Sequence, residues 1–187
     1  MVRVLNTANN CTYESTPVVL TAPPALPPLV VQQTNPRCAD RNDGRLVVLA
    51  PAGPDLRYRL IIPAGPFQTN PTFEDLGAGF YQVEARDLSD CPVFSSVVEL
   101  VAPAPITLQA RGNTIPCNAN AGLVEVTNVT GGVGQLTFEL LGPENRPEQT
   151  SGLFTGLFAG DYTVVVRDAN GCSATTTVKV VNANAPQ

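Results

Sequence analysis

The stretch "GAGFYQVEARDLSDC" (77–91) returns 81 positions later as "FAGDYTVVVRDANGC" (158–172). Phe73, Leu76, Ala78, Gly79, Tyr81, Val83, Arg86, Asp87 and Cys91 recur at that one offset as Phe154, Leu157, Ala159, Gly160, Tyr162, Val164, Arg167, Asp168 and Cys172. Further upstream Cys38 recurs as Cys117, and "LRYRL" (56–60) as "LTFEL" (136–140). A period near 80 residues is too long for a solenoid unit and suits a small self-contained domain. The repeat therefore predicts a β-sandwich over 28–103 and a second over 104–187. The segment 1–27 is expected to hold the last strands of a preceding copy plus a Pro-rich joint, because Val2 and Val4 match Val83 and Ala85, Cys11 matches Cys91 if the turn carries one extra residue, and Val18 and Leu20 match Val98 and Leu100.

Within each copy the apolar period is two. Leu56, Tyr58 and Leu60 alternate with Arg57 and Arg59; Leu136, Phe138 and Leu140 alternate with Thr137 and Glu139; Tyr162, Val164 and Val166 oppose Thr163, Val165 and Arg167. Such alternation marks strands with one buried face. Turn signals fall between them at "NDG" (42–44), "PAGPD" (51–55), "GGVG" (131–134) and "ANG" (169–171). No window carries helical spacing over three turns. The expected fold class is all-β, two tandem immunoglobulin-like antiparallel sandwiches, joined by stiff proline-rich spacers at "APPALPP" (22–28) and "APAP" (102–105).

Composition removes several classes of function. Among 187 residues there is no histidine, and Lys179 is the only lysine. That excludes imidazole general acid–base chemistry, Ser-His-Asp triads and histidine-containing zinc sites. Net charge is -5 without any basic stripe, which makes nucleic acid and anionic membrane poor partners. No apolar run approaches the roughly 20 residues that span a bilayer, so membrane insertion is not expected. The "DANG" segment reads as a hairpin turn, and no constellation points to catalysis.

The five cysteines include no C-x-x-C pair. Position in the repeat pairs Cys38 with Cys91 and Cys117 with Cys172, one bridge per copy, and leaves Cys11 unpaired with its partner upstream. The alternative is four buried free thiols in a cytosolic protein. Disulfides imply export to an oxidising compartment. A Cys38–Cys91 bridge would gather Asp40, Asp43, Asp87 and Asp90 on neighbouring loops, a set that could hold calcium, which takes six to eight oxygens. Against it stand Arg37, Arg41 and Arg86 among the same carboxylates, and the second copy offers only Asp168 with Asn118, Asn120 and Asn170. No cofactor is otherwise expected. Tyr13, Phe67, Phe80, Phe94 and Phe158 fall outside the inward positions, either as an aromatic platform for sugar or as edge and inter-domain packing. "NCT" (10–12) and "NVT" (128–130) match a glycosylation acceptor pattern.

The pattern L-x-A-G-x-Y-x-V…R-D-x-x-x-C resembles the SprB-type repeat of Bacteroidetes surface adhesins and gliding-motility-associated secreted proteins. The second copy follows it through Cys117, Gly122, Gly131-Gly132, Phe138, Leu157, Ala159-Gly160, Tyr162 and Asp168 to Cys172. The first departs, with "PAGP" for the Gly-Gly turn and "DLSDC" for "DANGC". The resemblance implies a non-catalytic structural or adhesive repeat of a large protein, exported by the type IX route to the cell surface. Its partners would be neighbouring repeats of the same chain and surface polysaccharide or substratum. The competing reading is a carbohydrate- or calcium-dependent binding module of a secreted multidomain protein.

Overall fold

The computed structural model describes residues 2–21, 26–116 and 121–183, and among them there are strands and no helix. A hairpin comes first, β1 (Arg3–Asn6) with β2 (Cys11–Glu14). All eight of its strand residues are exposed, and Val4, Leu5 and Tyr13 join neither hydrophobic cluster. Residues 15–20, expected to hold the strand equivalent to Val98–Leu100, form none.

The first sandwich opposes two sheets. One contains β3 (Val30–Thr34), β4 (Gly44–Ala50) and β6 (Thr72–Leu76), in the order β3-β4-β6. The other sets β7 (Gly79–Arg86) between β5 (Arg57–Ile62) and an edge made of β8 (Pro92–Phe94) and β9 (Val98–Leu100). That edge is interrupted where the Val83 N–H donates to Ser95 Oγ at 3.0 Å. The second sandwich repeats the plan. Strands β10 (Thr107–Gly112), β12 (Gly122–Thr130) and β15 (Leu153–Leu157) form one sheet. The other runs β11 (Thr114–Ile115), β17 (Ser173–Asn182), β16 (Gly160–Arg167), β13 (Thr137–Leu141) and β14 (Arg146–Gln149). All pairings are antiparallel except β11 with β17. Three strands facing four or more, with sequential strands changing sheets, is the immunoglobulin-like sandwich.

The alternating positions fill two separate cores. Leu46, Val48, Leu56, Tyr58, Phe73, Tyr81, Val83 and Leu100 pack in the first. Val124, Phe138, Leu140, Phe154, Tyr162, Val164, Val166 and Val180 pack in the second. Burying a side chain of this kind contributes about 1.5–3 kcal/mol, so each cluster is large enough to drive local collapse. Val165 differs from its sequence reading. It lies on the outer face yet is buried, between the cross-strand neighbours Glu139 and Thr175.

The repeated motif now has a structural cause. The Tyr81 hydroxyl donates to Gly77 O at 3.0 Å and that of Tyr162 to Phe158 O at 3.1 Å. Each is a tyrosine corner, tying the start of a central strand to the turn before it. The leucine of the motif sits against a glycine of the facing strand, Leu76 on Gly44 and Leu157 on Gly122. A Cβ on Gly122 would lie 2.4 Å from Leu157 O, and one on Gly44 2.6 Å from Leu76 O, so only glycine permits this backbone approach.

Candidate functional site

Strand direction decides which loops can meet. In the first sandwich β6 ends beside the start of β4, where Leu76 pairs with Gly44, and β9 returns to the same end, where Leu100 pairs with Gly79. The loop 35–43, carrying Cys38, therefore lies at the end from which the 101–105 linker departs. The β7–β8 turn, carrying Cys91, lies at the far end of an eight-residue strand, about 25 Å away at 3.3 Å per residue. Disulfides join Cα atoms less than about 7 Å apart. The second sandwich meets the linker with its opposite end: β10 starts there, and the Gly132 N–H donates to Ala104 O at 3.2 Å.

Cys38 is bonded to Cys172, with Cα atoms 5.6 Å apart, across 134 positions and between the two sandwiches. This corrects both expected pairs. Cys38–Cys91 is replaced because the two cysteines occupy opposite ends of one sandwich, and Cys91 is a free, half-exposed thiol. Cys117–Cys172 is replaced because Cys38 holds Cys172; Cys117 itself, with Asn118 and Asn120, lies outside the described residues. Cys11 is free and exposed. What excludes Cys38–Cys91 is strand direction: β4 and β7 both start at the end that holds loop 35–43, and β7 carries the chain away from it before Cys91.

The joint has further contacts. The Asn170 side-chain amide donates to Arg37 O at 3.2 Å. Asp168 orders the loop that carries Cys172: its Oδ1 accepts from the N–H groups of Asn170 (2.9 Å) and Cys172 (2.8 Å), and its Oδ2 from that of Val133 (2.9 Å). The motif aspartate is thus a loop clamp, locking the β16–β17 turn to "GGVG". A cleft of about 220 Å³ remains between the sandwiches, lined by Asp40, Pro103, Pro105, Ile106, Asp168 and Ser173.

The four aspartates do not form a common site. Asp40 lies at this cleft. Asp43 accepts from the Arg37 backbone N–H and guanidinium, both at 2.9 Å, and these hold its carboxyl below the usual range. Asp87 Oδ1 accepts from the Cys91 N–H at 2.9 Å. Asp90 pairs with Arg86 and Arg57, which lower its pKa. With Cys38 drawn to the second sandwich, the loop holding Asp40 and Asp43 faces away from Asp87 and Asp90. Among the described residues no three His, Cys, Asp or Glu side chains converge on a possible metal position.

The sequence reading missed a polar cluster on the outer face of β5 and β7. Glu84 is buried and accepts from Arg59 Nε at 2.5 Å and Arg86 Nε at 2.6 Å. Burial raises the Glu84 pKa, but the two guanidinium hydrogen bonds outweigh it and hold the group below its ordinary value. Phe67 lies beneath three guanidinium groups, those of Arg57, Arg59 and Arg86, at 4.9, 4.6 and 5.4 Å from its ring centre. Tyr13, Phe80, Phe94 and Phe158 are exposed and enter neither core. The corresponding position to Glu84 in the second copy is Val165, so this cluster belongs to the first sandwich alone.

No protein-family model matches the sequence, and no curated protein matches it. Similar solved structures include a C-terminal intimin fragment in complex with the translocated intimin receptor's intimin-binding domain, at 16% identity and TM-score 0.43 over 85% of this chain. The chain spans 65% of that fragment. Fibronectin(III)-like modules of Clostridium thermocellum CbhA align at 12% identity and TM-score 0.33, over 84% of this chain and 97% of that one. Extracellular domains 3–5 of Drosophila OTK align at 16% identity and TM-score 0.30, over 86% and 68%.

Proposed function

We propose that the chain is a non-catalytic structural and adhesive repeat segment of an exported cell-surface protein. The observation that carries this reading is the Cys38–Cys172 bridge, which joins two sandwiches rather than stapling one. A covalent tie across a proline-rich joint fixes the angle between neighbouring domains and passes tension from one to the next. It also requires an oxidising compartment, which supports export. The resemblance to SprB-type repeats supports placing the segment in a surface adhesin of the gliding-motility kind, reached by type IX secretion. The residues of that motif act here as tyrosine corner, glycine–leucine contact and loop clamp, all structural roles. Small-angle scattering on oxidised and reduced protein tests the reading. A single narrow distribution of inter-domain distances that broadens on reduction supports it, and identical profiles would remove the stiffening role.

A carbohydrate-binding module is the second reading, favoured by the exposed rings of Phe80 and Phe94. Glycan-array binding that is lost in Phe80→Ala or Phe94→Ala would favour it over the first.

A further inference from the structure

The three arginines around Phe67 are not demanded by the fold. Arg57 pairs with Arg86 and Arg59 with Glu84 across β5 and β7; at the same places in the second sandwich Thr137 pairs with Arg167 and Glu139 with Val165. There a single guanidinium answers a single carboxylate, Arg167 Nη2 lying 3.6 Å from Glu139 Oε2. The first sandwich sets three guanidinium groups against two carboxylates, Glu84 and Asp90, which leaves one positive charge over in a chain of net charge -5. Arg59 and Arg86 are held by the buried Glu84, whereas Arg57 gives one nitrogen to Asp90 and stays half-exposed. Among the described residues the Arg57 Nε and Nη1 meet no acceptor.

That guanidinium opens onto a groove of about 550 Å³, which it lines together with Phe67, Gln68, Thr69 and Asn70. Arg57 is the one charged residue of that lining. Asp55 and Asp87 border a separate cleft that shares only Arg57 and Thr69 with the groove, and Asp87 already serves the Cys91 N–H. The two amides of the groove are fixed in place. Gln68 Nε2 donates to Asn70 O at 2.7 Å and Thr72 O at 2.8 Å, and Asn70 Oδ1 accepts the Thr72 N–H at 3.0 Å. This leaves Gln68 Oε1 as an acceptor and Asn70 Nδ2 as a donor for a ligand. Phe67 is half-buried, drawn onto the guanidinium groups of β5 and β7 by cation–π attraction. A guanidinium fork binds a carboxylate, oriented amides bind hydroxyls, and an aromatic ring takes the C–H face of a sugar. We propose that this groove binds a uronate residue of an acidic polysaccharide. Arg57 takes the carboxylate, Phe67 the ring face, and Gln68 with Asn70 the hydroxyls; Arg59 and Arg86 are positioning residues that hold Phe67. The proposal gives the adhesive reading above its ligand class and rests on it.

Amide chemical shifts of the isotope-labelled full chain are followed during titration with trigalacturonate, with maltotriose as the neutral trisaccharide and hexaglutamate as an acidic peptide. The expected result is a set of shifts confined to residue 57 and residues 67–70, with trigalacturonate bound at least about tenfold more tightly than either control, the weight of one charge-assisted pair. Arg57→Gln should remove that preference. Asn70→Asp keeps the acceptor for the Thr72 N–H and adds a negative charge, so it should weaken trigalacturonate binding by a similar factor. Spectra unchanged away from the groove show that both variants fold. Equal affinity for maltotriose, hexaglutamate bound as tightly as trigalacturonate, shifts centred on Phe80 and Phe94, or no shift at all would each overturn the proposal. Failure of the segment reading shows separately, as scattering profiles that do not change on reduction.

Discussion

Asp75 and Asp90 hold left-handed backbone at φ 57° and 63°, where the second repeat has Gly156 at 69° and Gly171 at 77°. A residue with a Cβ loses roughly 1–2 kcal/mol in that region. Asp75→Gly is therefore expected to stabilise the first sandwich by about 1 kcal/mol, read as a raised urea midpoint at unchanged slope. Gly122→Ala works the other way, since its Cβ would overlap the Leu157 carbonyl at 2.4 Å. It should cost about 2–3 kcal/mol by forcing a backbone shift, whereas Gly53→Ala, with nothing within 4 Å, should be neutral. Losing one hydroxyl in Tyr162→Phe removes the bond to Phe158 O and should cost about 1 kcal/mol. These residue roles were only half legible. The sequence showed which residues recur, and the strand period showed which point inward. It could not show that Tyr81 and Tyr162 spend their hydroxyls on the turn behind them, because that bond depends on where the preceding strand ends.

Strands and hairpins set the next level. The alternation in "LRYRL" and "LTFEL" was readable because one face of each strand is buried; the outer face was not, because its burial depends on cross-strand neighbours. Glu84 illustrates this: its charge is sheltered by Arg59 and Arg86 from two adjacent positions on the sheet. Arg59→Ala leaves a buried carboxylate with one partner and should cost about 1.5–3 kcal/mol. The same group gives the first sandwich a pH dependence. Its folded pKa is lowered, so its contribution is fully present above the unfolded value of about 4.3 and is lost as pH falls through the lower folded value. Urea midpoints measured from pH 6 to pH 3 should fall less in Glu84→Gln than in the unsubstituted protein. Equal slopes would show that Glu84 carries none of the acid sensitivity. Calcium at millimolar concentration is expected to leave the melting temperature unchanged, because Asp43, Asp87 and Asp90 already serve Arg37, the Cys91 N–H, and Arg57 with Arg86.

At the scale of the molecule, repetition was the strongest signal and also the source of the main error. Two copies with two cysteines each invited one bridge per copy, a pairing that ignores direction along the strands. Antiparallel order sends Cys38 to the end of the first sandwich that meets the second, and Cys91 to the other end. The bridge therefore closes a loop of 134 positions through two domains, worth about 5 kcal/mol against the unfolded chain in the chain-entropy picture. Non-reducing peptide mapping, with free thiols alkylated before digestion, tests this most directly. Recovery of a Cys38–Cys172 peptide is the predicted result. Recovery of Cys38–Cys91 or Cys117–Cys172 in its place would contradict the stapled joint and return each bridge to a single sandwich.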